Sequence, residues 1–232
     1  MSAARVLVVD DEFQARHLLR TLLGQQGYQV QTAAAEAEAL ELAGRSPPDL
    51  VVLDPALSHG RGLALCQALR ECTPAPIIVV SARTAERAIV EALDHGADDY
   101  LTTPFGTEEF LARVRATLRR GPRAAPAGPL ASGALRLDPA RRQVTRDGEA
   151  VHLTPTEYEL LQYLMLHAGN VVTHGTLRRA VWGAGYADAT STLRVFIRQL
   201  RRKLEADPAA PTYLETVPRV GYRCRAAAAP GQ

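Results

Sequence analysis

No stretch of this 232-residue chain approaches the run of about 20 apolar residues that a membrane-spanning helix needs. A basic-then-apolar leader is also missing, so a soluble, cytosolic protein is expected, with no membrane partner. Cysteine is scarce. Cys66, Cys72 and Cys224 are odd in number and show no CxxC spacing, which argues against a disulfide framework or a zinc site and favours buried free thiols. Neither charge dominates, but the net charge of +2 conceals a division. Residues 1–121 carry 12 Lys+Arg against 16 Asp+Glu, a net of −4, whereas residues 122–232 carry 15 against 9, a net of +6. An acidic half joined to a basic half suggests that only the second approaches nucleic acid. With 47% hydrophobic residues, the chain has material for two cores and the length for two domains.

The first half alternates strand and helix five times. Strand patterns at 5–9, 28–33, 50–53, 77–80 and 98–101 alternate with helical patterns near 12–26, 36–45, 62–71, 84–95 and 107–120. The runs at 50–53 and 77–80 are apolar throughout, as strands buried on both faces should be. Right-handed crossovers with two covering helical layers then give an α/β flavodoxin-like, doubly wound parallel sheet of order 2-1-3-4-5.

Chemistry collects where these strands end. Arg5–Val9 delivers Asp10 and Asp11, Leu50–Leu53 delivers Asp54, and Ile77–Val80 delivers Ser81. Tyr100-Leu101-Thr102 runs into Thr103-Pro104-Phe105. Strand ends of an open parallel sheet line one crevice, so these groups should converge. Three carboxylates in one pocket repel unless a cation neutralises them. A hard divalent ion such as Mg²⁺, which takes oxygen ligands, would suit. A lone Asp after an apolar run is often only a helix cap. The joint spacing, with Gly96-Ala97-Asp98-Asp99-Tyr100 before Thr-Pro-Phe, argues for a site. An Asp-x-Asp phosphatase motif does not fit, because the first strand ends Asp10-Asp11-Glu12.

These residues resemble the receiver domain of two-component response regulators. The resemblance implies phosphoryl transfer from a sensor histidine kinase to Asp54. Asp11 would bind Mg²⁺ directly, Asp10 through water, and the Ala56 backbone carbonyl would complete the protein ligands. Ser81 would hydrogen-bond the phosphoryl oxygens while Tyr100 swings inward behind it. The family pattern at the fifth strand is Lys-Pro-Phe. Here Thr103 replaces the lysine, and its hydroxyl carries no charge to set against the roughly −1.5 to −2 of a phosphoryl group. Pro55-Ala56-Leu57-Ser58 also departs from the usual Leu-x-Leu-Pro, although Gly62 keeps its place.

Gly121–Pro129, rich in Pro, Ala and Gly, reads as a semi-extended linker, assigned to 122–131 between a receiver at 1–121 and a second domain at 132–226. Residues 227–232 read as a disordered tail. The second domain opens with strand patterns near 133–137, 142–146 and 149–153, the last two joined by an Asp147-Gly148 turn. Thr154-Pro155-Thr156-Glu157 forms a capping box for a helix running to about His167. A second helix is expected at about 175–181 and a third at about 189–205. Two strands, about 212–217 and 221–225, flank Pro218-Arg219.

The third helix is chemically lopsided. Leu193, Phe196, Ile197, Leu200 and Leu204 form one face, and Arg194, Arg198, Arg201 and Arg202 occupy the other. Together with Leu153–Leu161, Val181-Trp182-Gly183 and Val220-Gly221-Tyr222-Arg223, it resembles the winged helix-turn-helix effector domain of the OmpR/PhoB family, an α+β fold. That likeness runs from about residue 3 to 225. It implies a DNA-binding transcription factor rather than an enzyme in the ordinary sense. Arg194, Arg198 and Arg201 are expected in the major groove of double-stranded DNA, with Gln199 a candidate base reader. Thr190, Ser191, Thr192 and Arg202 should favour phosphates, and Arg219 the adjacent minor groove. Family members form homodimers through the fourth helix, fifth strand and fifth helix. Val90, Leu93 and Leu111 are the expected apolar centre, with Asp98 and Asp99 reaching Arg113 and Arg120 of the partner. Ile89 stands at an expected basic position, which would leave Glu109 without its usual partner and make phosphate-independent association plausible.

Overall fold

The computed structural model describes residues 3–57, 62–118, 128–183 and 190–226, excluding the side chains of Thr190 and Ser191. The chain divides into two compact units, Met1–Arg119 and Arg120–Gln232. The expected linker, apart from its last residues, the tail and Arg120 lie outside the described residues.

In the first unit, β1 (Arg5–Val9), β2 (Gln29–Ala33), β3 (Leu50–Leu53), β4 (Ile77–Ser81) and β5 (Asp99–Thr102) form one parallel sheet of order β2-β1-β3-β4-β5. Five described helices intervene: α1 (Phe13–Gln25), α2 (Glu36–Arg45), α3 (Gly62–Cys72), α4 (Glu86–Asp94) and α5 (Thr107–Leu118). Strand pleating sends alternate residues to opposite faces. Val6, Val8, Leu50, Val52, Ile78 and Val80 pack against Leu19 and Leu23 of α1 and Phe110, Leu111 and Val114 of α5. The other face lies under the remaining helices, where Ala39, Ala43, Leu65 and Leu69 are buried. Parallel registers such as Val9↔Leu53 and Leu53↔Val79 bring the carboxyl ends of the central strands level. Gly62 protects this edge. A Cβ there would lie 2.5 Å from the Asp54 carbonyl oxygen and 2.6 Å from Pro55 Cα, so only glycine lets α3 approach the loop after β3.

The second unit begins with an antiparallel meander, β6 (Leu130–Ser132), β7 (Leu135–Asp138), β8 (Gln143–Arg146) and β9 (Glu149–Ala150). The stretch read as one strand near 133–137 covers the β6–β7 turn and most of β7, and β6 starts inside the segment read as linker. Asp147 (φ 53°) and Gly148 (φ 87°) both take the left-handed conformation that a two-residue hairpin between β8 and β9 requires. Helix α6 (Pro155–Leu166) carries the anticipated capping box: Thr154 N–H donates to Glu157 Oε2 at 2.7 Å, and Glu157 N–H to Thr154 Oγ1 at 3.4 Å. Helices α7 (His174–Trp182) and α8 (Thr190–Leu204) follow. A second sheet, β10-β12-β11, combines Val172–Thr173, Gly221–Cys224 and Leu214–Val217. The two-residue β10 was not anticipated. It pairs with β12 only because residue 221 is glycine; any Cβ there would collide with the Val172 carbonyl. The core gathers Leu161 and Leu164 from α6, Leu177 and Trp182 from α7, and the whole apolar face of α8. Trp182 and Phe196 rings meet at 5.6 Å.

Candidate functional site

Asp10 and Asp11 leave β1 beside Asp54, which leaves β3. One carboxylate oxygen from each lies within 4.8 Å of the others. Backbone hydrogen bonds fix the two strand ends, Asp54 N–H to the Val9 carbonyl (2.9 Å) and Asp10 N–H to the Ala33 carbonyl (3.2 Å). Asp10 Oδ1 also accepts from Glu12 N–H, and Asp54 Oδ1 from Ala56 N–H, both at 2.8 Å. Burial pushes the Asp10 carboxyl up to about 6, only partly opposed by the Glu12 N–H, and the charges of Asp54, Asp11 and Glu12 add to the rise. Asp54 is raised as well, by burial first, and further by Asp11 and Glu12, with the Ala56 N–H opposing. The side-chain charges acting on both groups are negative. Such a pocket stabilises a bound cation, because every carboxylate gains from it.

Beside it, Ser81 is buried at the end of β4, and its Oγ accepts from Arg83 N–H at 3.2 Å. Tyr100 is already inside: it is 8% exposed, and its hydroxyl donates to the Arg83 carbonyl at 2.7 Å. Ser81 and Tyr100 therefore hold the same residue of the loop before α4. Thr103 N–H donates to the Ser81 carbonyl at 2.8 Å. No lysine elsewhere in this unit could substitute for Thr103, since Lys203 is the single lysine of the chain.

Residues expected to build a dimer face are placed differently from one another. Val90 is half-buried, whereas Leu93 and Leu111 are buried, Leu111 within the core cluster. Asp98 is fully buried and pairs with Arg70 of its own chain, while also accepting from Ile77 N–H at 3.0 Å. Asp99 is buried and faces Arg113 of its own α5 at 3.3 Å. Arg113 also reaches Glu109 at 2.6 Å, so Glu109 has a partner one turn away on its own helix.

In the second unit, Leu193, Phe196, Ile197, Leu200 and Leu204 of α8 are all buried. Arg194, Arg198 and Arg202 are exposed, and Arg219 is exposed at the β11–β12 tip with φ 65°. Arg201 turns inward instead. Its guanidinium donates to the Leu214 carbonyl at 3.0 and 2.6 Å and to Thr216 Oγ1 at 2.8 Å. Thr192 and Gln199 are buried, and the side chains of Thr190 and Ser191 lie outside the described residues.

The receiver-domain family of response regulators matches residues 6–115, and the family of C-terminal domains of transcriptional regulatory proteins matches residues 148–224. Transcriptional regulatory protein KdpE of Mycobacterium tuberculosis is 47% identical, over 95% of this chain and 99% of the relative. This chain belongs to the OmpR/PhoB-type response regulators. The KDP operon regulator KdpE of Escherichia coli is 41% identical over 94% of this chain and 97% of its own length. RegX3 of Mycolicibacterium smegmatis is 40% identical, covering 94% and 97%. Among solved structures, a RitR mutant superposes with a TM-score of 0.78 at 26% identity, covering 97% of this chain and all of that one. DrrB, an OmpR/PhoB homologue of Thermotoga maritima, gives 0.51 at 29% identity, covering 96% and 99%.

As a response regulator, the chain joins a receiver to a DNA-binding domain, and this pairing implies DNA and a sensor kinase as partners. No helix among the described residues is long and apolar enough to cross a membrane. The sequence reading missed the groups that brace the response regulator's basic helix. Glu205, buried just past its end, accepts from Thr212 N–H (2.8 Å), Thr212 Oγ1 (3.0 Å), Tyr213 N–H and Leu214 N–H (both 2.9 Å). Arg146 Nη1 donates to the terminal Leu204 carbonyl at 3.1 Å. Lys203 Nζ reaches Glu157 Oε2 at 2.6 Å. A partial signal for Glu205 existed: a carboxylate next to the buried Leu204, although the turn residues Ala206–Pro211 separate it from the strand segment it holds. Nothing local distinguishes Arg146 from a solvated arginine.

Proposed function

We propose that this regulator works in the cytoplasm as a homodimer that places two winged helices (residues 132–226) on adjacent half-sites of promoter DNA. Its receiver, residues 1–121, takes the signal, and residues 122–131 link the two. Asp54 is the phosphoacceptor. One of its carboxylate oxygens attacks phosphorus as the bond to the kinase histidine nitrogen breaks. Mg²⁺ fits Asp10, Asp11, Asp54 and the Ala56 carbonyl, and when bound it offsets negative charge on the carboxylates and phosphoryl oxygens. Asp10 and Ala56 contribute by fixing the pocket rim, and Ser81 supplies a hydroxyl toward the phosphoryl group. The observation that supports this reading is the convergence of Asp10, Asp11 and Asp54 carboxylate oxygens within 4.8 Å, with the Asp10 and Asp54 carboxyls both raised by burial and by neighbouring negative charge.

On the DNA, Arg198 reads base edges, Arg202 favours phosphate, and Arg219 at the hairpin tip enters the minor groove. Arg201 braces the hairpin instead of reaching the groove, as its bonds to Leu214 and Thr216 support.

A second reading is favoured by Tyr100 and Thr103 together. Tyr100 is held inward by its bond to the Arg83 carbonyl, and Thr103 supplies no charge to hold a phosphoryl group. In that reading the receiver serves mainly for dimerisation, and Asp54 need not be modified. Incubation with acetyl phosphate and Mg²⁺, followed by intact-mass measurement, separates the two. A phosphoryl adduct absent from Asp54→Ala supports the first; no adduct at all removes it.

A further inference from the structure

Arg16 stands where electrostatics alone would not put a cation. Its backbone N–H donates to the Glu12 carbonyl at 3.1 Å, closing the first turn of α1. That turn holds no acidic residue, so the charge of Arg16 opposes the positive end of the helix dipole unscreened. The same charge adjoins the backbone of Asp10 and Asp11, where a fixed cation works against the binding of a second one. Geometry gives it a different use. Side chains of a helix tilt toward its amino end, and Arg16 reaches back beyond the helix start, where Nη1 donates to the Asp10 backbone carbonyl at 2.6 Å. Phe13, one turn earlier, lies under the guanidinium, its ring centroid 5.9 Å from Cζ. Phe13 is 70% exposed, and its ring also stacks on His17, with centroids 6.0 Å apart and planes at 14°. An aromatic that buries almost nothing thus backs an arginine that grips the acidic corner.

We propose that Arg16 is a positioning residue for the divalent-ion pocket, holding the peptide between Asp10 and Asp11 while Phe13 holds Arg16. A peptide unit is planar, so anchoring the Asp10 carbonyl also sets the Asp11 N–H and the direction in which Asp11 leaves the strand. Asp10 itself is fixed from two other sides, by its N–H to the Ala33 carbonyl (3.2 Å) and by Glu12 N–H to its Oδ1 (2.8 Å). The Arg16 bond carries that fixation one residue further, to the second carboxylate of the corner. Mg²⁺ demands near-octahedral oxygen ligands, so a corner free to rotate binds it less well. Arg16 acts through the peptide and not on the ion. Its position and its charge therefore have opposite signs: position strengthens cation binding, and charge weakens it. Asp54, held from β3 by the Val9 carbonyl and Ala56 N–H, does not depend on this brace.

The brace rests on the metal-pocket reading and is tested by calorimetric titration of Mg²⁺ into the full chain, with circular dichroism in EDTA checking that each variant is folded. Arg16→Met removes the charge and the donor and keeps the apolar stem. It should weaken Mg²⁺ binding by about 10-fold or more, as loss of a group that orients a metal ligand does. Arg16→Lys, which keeps the charge and a donor, should recover most of that loss. Mg²⁺ affinity equal to or tighter than the parent's in Arg16→Met is the result that charge alone predicts, and it overturns the brace even if the melting temperature in EDTA has fallen. Should Arg16→Met not fold, the exposed Phe13 carries the test: Phe13→Ala should weaken Mg²⁺ by about 2- to 5-fold, the equivalent of one exposed cation–π contact, and unchanged affinity there overturns the brace. A parent that binds no Mg²⁺ overturns the metal-pocket reading and the brace with it.

Discussion

Arg70 of α3 and Asp98, just before β5, form an ion pair inside a single receiver. Arg70 also donates to the Gly96 carbonyl at 2.8 Å and the Ala75 carbonyl at 2.5 Å, so its guanidinium ties three segments together. Within the protomer, Asp98 thus holds α3 to the start of β5. Asp98→Ala should lower stability by about 3–5 kcal/mol, as removal of one partner from a buried pair does. Urea unfolding followed by far-ultraviolet circular dichroism measures it. A loss confined to dimer affinity, with the unfolding midpoint unmoved, would return Asp98 to the intermolecular role its sequence position suggests.

Thr103 lies at the carboxyl edge of the sheet beside Ser81, where a longer cationic side chain could reach toward the pocket. Thr103→Lys should increase the fraction of protein carrying a phosphoryl adduct after acetyl phosphate treatment, and Asp54→Ala should abolish the gain. Intact mass reports both. An unmodified Thr103→Lys protein would mean that the departures at Pro55–Ser58, not the missing lysine, limit the chemistry.

The sheet of the first unit was legible because its central strands β1, β3 and β4 are nearly uninterrupted apolar runs leading into an acid or a hydroxyl. Such runs have no helical alternative of sufficient length. The acidic pocket followed, since parallel order alone aligns strand ends. What stayed hidden was side-chain destination at the edges of amphipathic faces. Arg201 adjoins Leu200 and could turn either to solvent or to the hairpin; only the position of the Leu214 carbonyl decides. Leu93 and Leu111 are expected at the centre of a dimer face from family spacing, whereas how much of each a single protomer buries depends on how deeply α4 and α5 sit on the sheet. Strand β10 is two residues long and exists through backbone proximity at Gly221, which no side-chain pattern encodes.

The acidic pocket couples metal, proton and stability. In the folded receiver the Asp10 carboxyl titrates near 6, well above its ordinary value of 3.8, chiefly through burial. The folded state thus holds this proton where the unfolded chain has lost it. Its contribution to stability is greatest at low pH, declines as pH rises from the unfolded value and has gone by the time pH passes the folded one. Mg²⁺ competes for the ionised form. In EDTA, this group should therefore disfavour the fold more at about pH 7 than at about pH 5, and Mg²⁺ should raise the melting temperature more at the higher pH. Equal Mg²⁺ shifts at both would disconnect Asp10 from the metal.

Arg198 and Arg201 are three residues apart on α8, yet one is exposed and the other is bonded to Leu214 and Thr216. Arg198→Ala should reduce discrimination between operator and mutant sequences by about 1–3 kcal/mol if it reads a base. Arg201→Ala should weaken all sequences alike, because it loosens the hairpin that carries Arg219. Anisotropy titrations against a panel of single-base operator variants distinguish the two patterns. Base-specific loss in Arg201→Ala would place its guanidinium in the groove.

Glu205 offers the strongest local tie between the basic helix and the hairpin. Its two oxygens accept four hydrogen bonds from Thr212, Tyr213 and Leu214, in a buried site where an ionised acceptor strengthens each bond. Bonds to a charged partner contribute about 1.5–3 kcal/mol each, and they act together here, so their loss is not a simple sum. Glu205→Ala should therefore release the chain leading into β11 before anything else opens. The amides of Thr212, Tyr213 and Leu214 should exchange with deuterium far faster, while those of α6 hold their protection. Glu205→Gln, which keeps a single acceptor oxygen, should fall between. If the three amides stay as protected in Glu205→Ala as in the parent, the hairpin is held by β12 pairing and Arg201 alone, and Glu205 is only a helix-end residue.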